Sequence, residues 1–69
     1  MKVHLELKEL RLAANLPQVE VAERCGLTRT SITNIESGRQ PLSLVTLEAI
    51  AAALGYEVEI KFIRTGVKK

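Results

Sequence analysis

The chain contains one cysteine, Cys25, and one histidine, His4, in 69 residues. A lone thiol cannot build a disulfide framework, and one thiol with one imidazole cannot make a zinc site, so neither a covalent staple nor a metal centre is expected. No serine, histidine and acid set, glycine-rich phosphate loop or close carboxylate pair is legible. The chain is therefore read as a binding protein without cofactor, not as an enzyme. Long apolar runs are also missing. The longest, around Ala49 to Leu54, falls far short of the ~20 residues of a spanning helix, and the amino terminus lacks signal-peptide architecture. The expected compartment is the cytoplasm, with no membrane partner. Surplus charge is small: ten basic residues against eight acidic ones leave a net +2. No repeat, low-complexity tract or second domain is visible, and a chain this short builds a modest core, so dimerisation would help to stabilise it.

What is present is concentrated between Gln18 and Gly38. Apolar anchors and a turn glycine are spaced there as two short helices meeting at a sharp angle require. Ala22 is small where two backbones must approach, and Gly26 stands where the first helix must end with positive φ, a conformation glycine adopts without steric cost. Val21, Cys25, Leu27, Ile32 and Ile35 supply the apolar wedge between the helices, with Cys25 read as a small core residue and His4 as an ordinary surface side chain. The pattern is that of a helix-turn-helix.

Outside the wedge lies a row of Arg29, Thr30, Thr33, Asn34 and Ser37. Serine, threonine and asparagine compete for backbone hydrogen bonds and are mediocre in a helix interior. Short polar side chains around an arginine can instead match donors, acceptors and methyl groups on base edges in the DNA major groove. A merely solvated helix face would carry more Glu, Lys, Gln and Ala. Charge distribution points the same way, because from Thr28 through Thr46 the only acid is Glu36 while Arg29 and Arg39 are both present. The face can be locally positive although the protein is nearly balanced.

Periodicity and capping signals place helices at about 6–14, 17–25, 29–37 and 44–54. Thr28 and Ser43 are the expected N-caps, and Gly38 and Gly55 the stops of the third and fourth helices. Leu7, Leu10, Ala14, Leu16, Val21, Ala22, Ile32, Ile35, Leu42, Leu47, Ile50, Ala51 and Leu54 form the expected core. After Gly55 the period changes to two: Tyr56, Val58, Ile60 and Phe62 alternate with Glu57, Glu59, Lys61 and Ile63, the pattern of a strand over about 56–63. A single strand leaves its edges open. Two partners remain open for it, a short strand over Lys2 to Leu5 or a second copy of itself, and the alternative for residues 2–5 is an early start of the first helix. In the self-paired case even-numbered residues must oppose even-numbered ones. An axis at Glu59 would oppose two glutamates, whereas an axis at Ile60 pairs Val58 with Phe62 and Glu59 with Lys61, so dimerisation is assigned to Val58, Glu59, Ile60, Lys61 and Phe62. Residues 65–69 are read as a basic tail.

Leu10-Arg11, Leu16, Gln18, Ala22, Gly26, the Ile32 and Ile35 pair, Glu36-Ser-Gly38-Arg39 and the Leu47, Ile50, Ala51, Leu54-Gly55 pattern together resemble the Cro-like phage-repressor, or XRE, helix-turn-helix family. The resemblance runs from about Leu7 to Gly55. Pro17 departs from it, since a hydroxyl cap is usual there, although proline is acceptable in a first helical turn. Asn15 departs as well, standing where glycine is common and still compatible with a left-handed helix end. The resemblance implies a mainly α, lambda-repressor-like four-helix domain, followed here by the strand, in a homodimeric DNA-binding transcriptional repressor of bacterial, archaeal or phage type. It implies that Arg29, Thr30, Thr33 and Asn34 face bases. Gln18, Ser37, Arg39, Gln40 and the amides that begin the second and fourth helices, including that of Leu44, would meet phosphate. It also implies a buried ion pair between Arg11 and Glu36. Some antitoxins of toxin–antitoxin operons are similar, with four helices and a dimerising strand, so the alternative function is neutralising a toxin protein while autoregulating through DNA.

Overall fold

The structure, a computed structural model, describes residues 2–66. Four helices follow one another: α1 (Val3–Ala13), α2 (Gln18–Cys25), α3 (Arg29–Glu36) and α4 (Leu44–Ala53). Each boundary has a local cause. Thr28 begins α3, its side chain accepting a hydrogen bond from the Ser31 amide, and Ser43 begins α4 by accepting from the Thr46 amide, which satisfies donors that a helix start leaves without intrahelical partners. Pro17 precedes α2 in extended conformation and offers no side-chain cap. Gly26 closes α2 at φ 73°, and Asn15 makes the left-handed turn after α1 at φ 58°. Helices α3 and α4 stop one residue before the expected ends, Ser37 and Leu54 serving as C-caps.

Packing brings α2 against both α3 and α4, and α1 against α3. Leu7, Val21, Ala22, Ile32, Ile35 and Ile50 form the buried cluster, with Leu16, Cys25, Leu27, Leu42, Leu47 and Leu54 packed half-buried against it. Arg24 fastens α2 to the end of α4, donating to the Ala53 carbonyl at 3.0 Å while its Nε meets Glu20 at 3.2 Å. Cys25 donates its Sγ hydrogen to the Val21 carbonyl at 3.0 Å. Burial pushes its thiol pKa up, with backbone hydrogen bonds opposing, as suits a packing residue rather than a reactive one.

Three expectations need correction, and one open alternative is decided. The possible strand at residues 2–5 is not formed: Val3, His4 and Leu5 are the first turn of α1, and the Lys2 carbonyl accepts from the Leu5 and Glu6 amides. Val3 and Leu7, one helical turn apart, line a groove with Leu47 and Ala51 of α4. Helix α1 therefore starts three residues before the expected boundary. Ala14, expected in the core, is exposed because it is the C-cap that turns the chain out of α1. His4 is half-buried rather than an ordinary surface residue: its Nε2 lies 3.1 Å from where a Cβ on Gly38 would sit. Glycine at position 38 is favoured by its φ of 80°, and a Cβ there would press on the imidazole.

Among the described residues no strand is present, and 56–66 carry no ladder. The reason is physical: a strand needs a partner edge, and residues 3–5, which the sequence offered as one, are helical. Of the basic tail expected at 65–69, residues 67–69 lie outside the described residues. No helix among the described residues is long and apolar enough to cross a membrane.

Candidate nucleic-acid interface

The N-cap at Thr28 and the wedge residues Ile32 and Ile35 orient α3, since both isoleucines are almost completely buried against α2 and α1. With those positions turned inward, Arg29, Thr30, Thr33 and Ser37 are left exposed and Asn34 half-buried, on one outward face. The spacing of three and four residues makes them neighbours along that face.

Behind the face stands an ion pair between α1 and α3. Arg11 donates from Nε to one Glu36 oxygen at 2.6 Å and from Nη2 to the other at 3.0 Å, and its Nη1 meets the Leu16 carbonyl at 2.8 Å. Both residues are buried, at 8% and 7% exposure, so the two-pronged geometry replaces the water each group gives up. Burial would raise the Glu36 pKa; the hydrogen bonds from Arg11 and Gln18 and the nearby positive charges outweigh it and hold the carboxyl below its ordinary value. No buried side-chain nitrogen or oxygen among the described residues lacks a partner.

Gln18, the first residue of α2, connects this pair to the outer face. Its Nε2 donates to Glu36 at 3.0 Å and its Oε1 accepts from the Thr33 hydroxyl at 2.9 Å. The link could not be read from the sequence, because it joins positions 15 and 18 residues apart through the angle between two helices. Arg39 and Gln40 lie just beyond Ser37 and Gly38, which end α3. Both their amides bond the Asn34 carbonyl, at 2.9 and 3.1 Å, and the Ser37 hydroxyl donates to it at 3.1 Å, so the chain after α3 is folded tightly onto its last turn. At the start of α4, helix geometry leaves the amides of Leu44 and Val45 without intrahelical acceptors. The same holds for Gln18 and Val19 at the start of α2.

Electrostatically, the stretch from Thr28 to Thr46 has Glu36 as its single acid, and that acid is buried and neutralised by Arg11. Arg29 and Arg39 are exposed. The face is therefore cationic through its own residues and rich in short hydrogen-bonding side chains. Val58, Glu59, Ile60, Lys61 and Phe62 lie apart from it on the segment after α4, where Val58 is half-buried in a groove with α1 and α4 and the other four are exposed. No group of three or more potential metal-ligating side chains occurs among the described residues.

A protein-family model described as Helix-turn-helix matches residues 7–61. The chain belongs to the XRE-type helix-turn-helix family. Among its relatives, the immunity repressor protein of Bacillus phage phi105 is 43% identical over 58 residues, 84% of this chain and 40% of the repressor. An uncharacterized HTH-type transcriptional regulator of Methanothermobacter thermautotrophicus is 45% identical over 51 residues, 74% of each chain. Control protein C.BamHI of Bacillus amyloliquefaciens is 38% identical over 53 residues, 75% of this chain and 65% of that protein. The chain thus spans less than half the length of the phage repressor and about two thirds of the control protein. Of solved structures, the restriction-modification controller protein C.AhdI from Aeromonas hydrophila superimposes with a TM-score of 0.77 at 38% identity, over 81% of this chain and 85% of that one. The controller protein C.Esp1396I, solved as a tetramer in complex with its natural 35-base-pair operator, gives 0.77 at 32% identity, over 81% of this chain and 74% of that one.

Proposed function

We propose that this helix-turn-helix protein is a sequence-specific transcriptional regulator that binds double-stranded DNA as a homodimer and acts as a repressor in the cytoplasm, with no catalytic role. The observation that carries the reading is the outward face of α3, cationic and lined with short polar side chains, held by a neutralised ion pair at its back. Arg29, Thr30, Thr33 and Asn34 meet base edges, with Arg29 suited to guanine O6 and N7 and Asn34 to adenine. Ser37, Arg39, Gln40, the second Nε2 hydrogen of Gln18 and the free amides that begin α2 and α4 meet phosphate, the amides with a helix dipole behind them. The relatives support this assignment, being a phage repressor, a transcriptional regulator and controller proteins, one of them solved on its operator. They lend nothing to the antitoxin reading, and no toxin partner is assigned.

The dimer is proposed to form through 56–63, paired antiparallel with the same segment of a second copy. Phe62 is 99% and Ile60 55% exposed in the single chain, a large apolar area for one small domain to leave in water. Fluorescence anisotropy with a duplex from the region upstream of the coding sequence and with a random-sequence duplex, each over a range of salt, tests the whole reading. Preference of about a thousandfold or more for one sequence is expected of a specific regulator. Equal affinity for both duplexes would reduce the protein to a nonspecific binder.

A further inference from the structure

The hydrogen bonds that tie α3 to α2 decide which atoms of Thr33 are left to meet a ligand. An ionised carboxylate only accepts, so the end of the Gln18 amide that stands 3.0 Å from Glu36 must be the nitrogen. The carbonyl oxygen is then the other end, and it lies 2.9 Å from the Thr33 hydroxyl. A carbonyl oxygen carries no hydrogen, which makes Thr33 the donor. A hydroxyl has one hydrogen, and this one is spent inward. The orientation begins at Arg11, which has donors only and engages both oxygens of Glu36. Reversing it would require a protonated Glu36, and the carboxyl is held below its ordinary pKa. Thr33 therefore turns outward its methyl group and its lone pairs, but no hydrogen.

We propose that the Arg11–Glu36 pair, acting through Gln18, makes Thr33 an obligate hydrogen-bond acceptor at the DNA surface, so that it selects a base edge bearing an amino group, N6 of adenine or N4 of cytosine. This rests on the DNA-binding reading above. A threonine with a free hydroxyl can turn to suit either kind of edge. Here the hydroxyl is preset, and guanine N7 and O6 or thymine O4 would oppose lone pair to lone pair. Gln18 is by this argument a positioning residue for readout, in addition to any phosphate it touches.

The test begins with selection of bound duplexes from a random-sequence library by the full chain and by Thr33→Val, which keeps the side-chain shape and removes the hydroxyl. The base pair at which the two preferences differ is the one Thr33 reads. Duplexes are then made with base analogues at that pair: purine for adenine, or pyrimidin-2-one for cytosine, removes the amino group, and a 7-deaza purine removes the N7 acceptor. Loss of the amino group should weaken the unmodified protein about fivefold to tenfold, as expected for one hydrogen bond, and leave Thr33→Val unaffected. Loss of N7 should change neither. Gln18→Leu, which frees the hydroxyl hydrogen, should broaden tolerance at that pair alone, with circular dichroism confirming the fold. The inference is overturned if the deaza analogue weakens the unmodified protein as much as loss of the amino group does. It is equally overturned if Thr33→Val alters no preference, or if Gln18→Leu keeps selectivity at that pair. Should the unmodified protein enrich no sequence, the DNA-binding reading itself fails, and that result is distinct from the others.

Discussion

At the scale of single residues, Arg11 and Glu36 matter because each is buried with the other as its only charged partner in hydrogen-bond contact. Removing one strands a charge, so Glu36→Ala should lower stability by about 3 kcal/mol, read by chemical denaturation. An unchanged midpoint would show the pair to be dispensable. The pH dependence has a definite sign. Since the folded-state pKa of Glu36 is lowered, its contribution is complete above the ordinary carboxylate value of about 4.3 and is lost as pH falls through the native value. Thermal melts of Glu36→Gln should be depressed at neutral pH and show a shallower acid-side decline than the unmodified protein. On the outer face, Arg29→Ala should cost about 1–3 kcal/mol on the operator and relax preference at one base pair, whereas Arg39→Ala should weaken specific and random DNA alike and lower the salt slope by about one unit. If both reduce binding to all sequences equally, Arg29 is not at a base edge.

At the scale of elements, the segment after α4 has an alternating pattern and no strand pairing among the described residues. Helix α1 takes residues 3–5, which removes the in-chain candidate and leaves the second copy as the edge that could complete the ladder. In the proposed dimer with its twofold axis at Ile60, burial of the even-numbered face would supply most of the association. The flanking Glu59 and Lys61 pairs of that dimer would be exposed and contribute about 0.2–1 kcal/mol each. Ile60→Lys should therefore yield a monomer in analytical ultracentrifugation. Lys61→Glu should weaken the dimer only modestly, with Glu59→Lys in the same chain restoring it. A dimer indifferent to Ile60→Lys would rule out this interface.

At the scale of the whole molecule, the helix proposed to read DNA, α3, has eight residues. Eight residues reach few base edges, so in the proposed dimer specificity beyond a half-site would come from the second copy. A twofold dimer implies a palindromic operator whose half-site centres are about 34 Å, one turn of DNA, apart. Inserting five base pairs between half-sites should abolish tight binding in an electrophoretic shift assay, and inserting a full turn should not restore it if the ribbon is rigid. Retained affinity with the five-pair insert would show that the two reading helices are not rigidly linked. The net charge of only +2 further predicts that nonspecific binding is shallow at physiological salt, because the cationic residues act locally rather than as a global field.

Local chemistry was legible in the sequence itself. Thr28, Ser43 and Gly26 mark helix boundaries through capping and positive φ, which depend on residues three or four positions away, and a strong 3.6 period identified α2 and α3 with their buried residues Val21, Ala22, Ile32 and Ile35. The family pattern, not spacing, suggested Arg11 and Glu36. What the tertiary structure alone decided concerns groups that meet across helices. Residues 3–5 are compatible with a strand's alternation and with a helix's period, and only the structure shows them as the first turn of α1. Ala14 looks like a core residue until the turn at Asn15 carries it outward. His4 is half-buried only because the loop after α3 passes over it at Gly38. The orientation of Gln18, and with it the outward chemistry of Thr33, follows from the crossing of α2 over α3 and from a carboxylate held in place by an arginine of α1. Periodicity records which way each side chain points, but not the polar partner it meets on another helix, and here that partner determines which hydrogen-bonding group remains for the ligand.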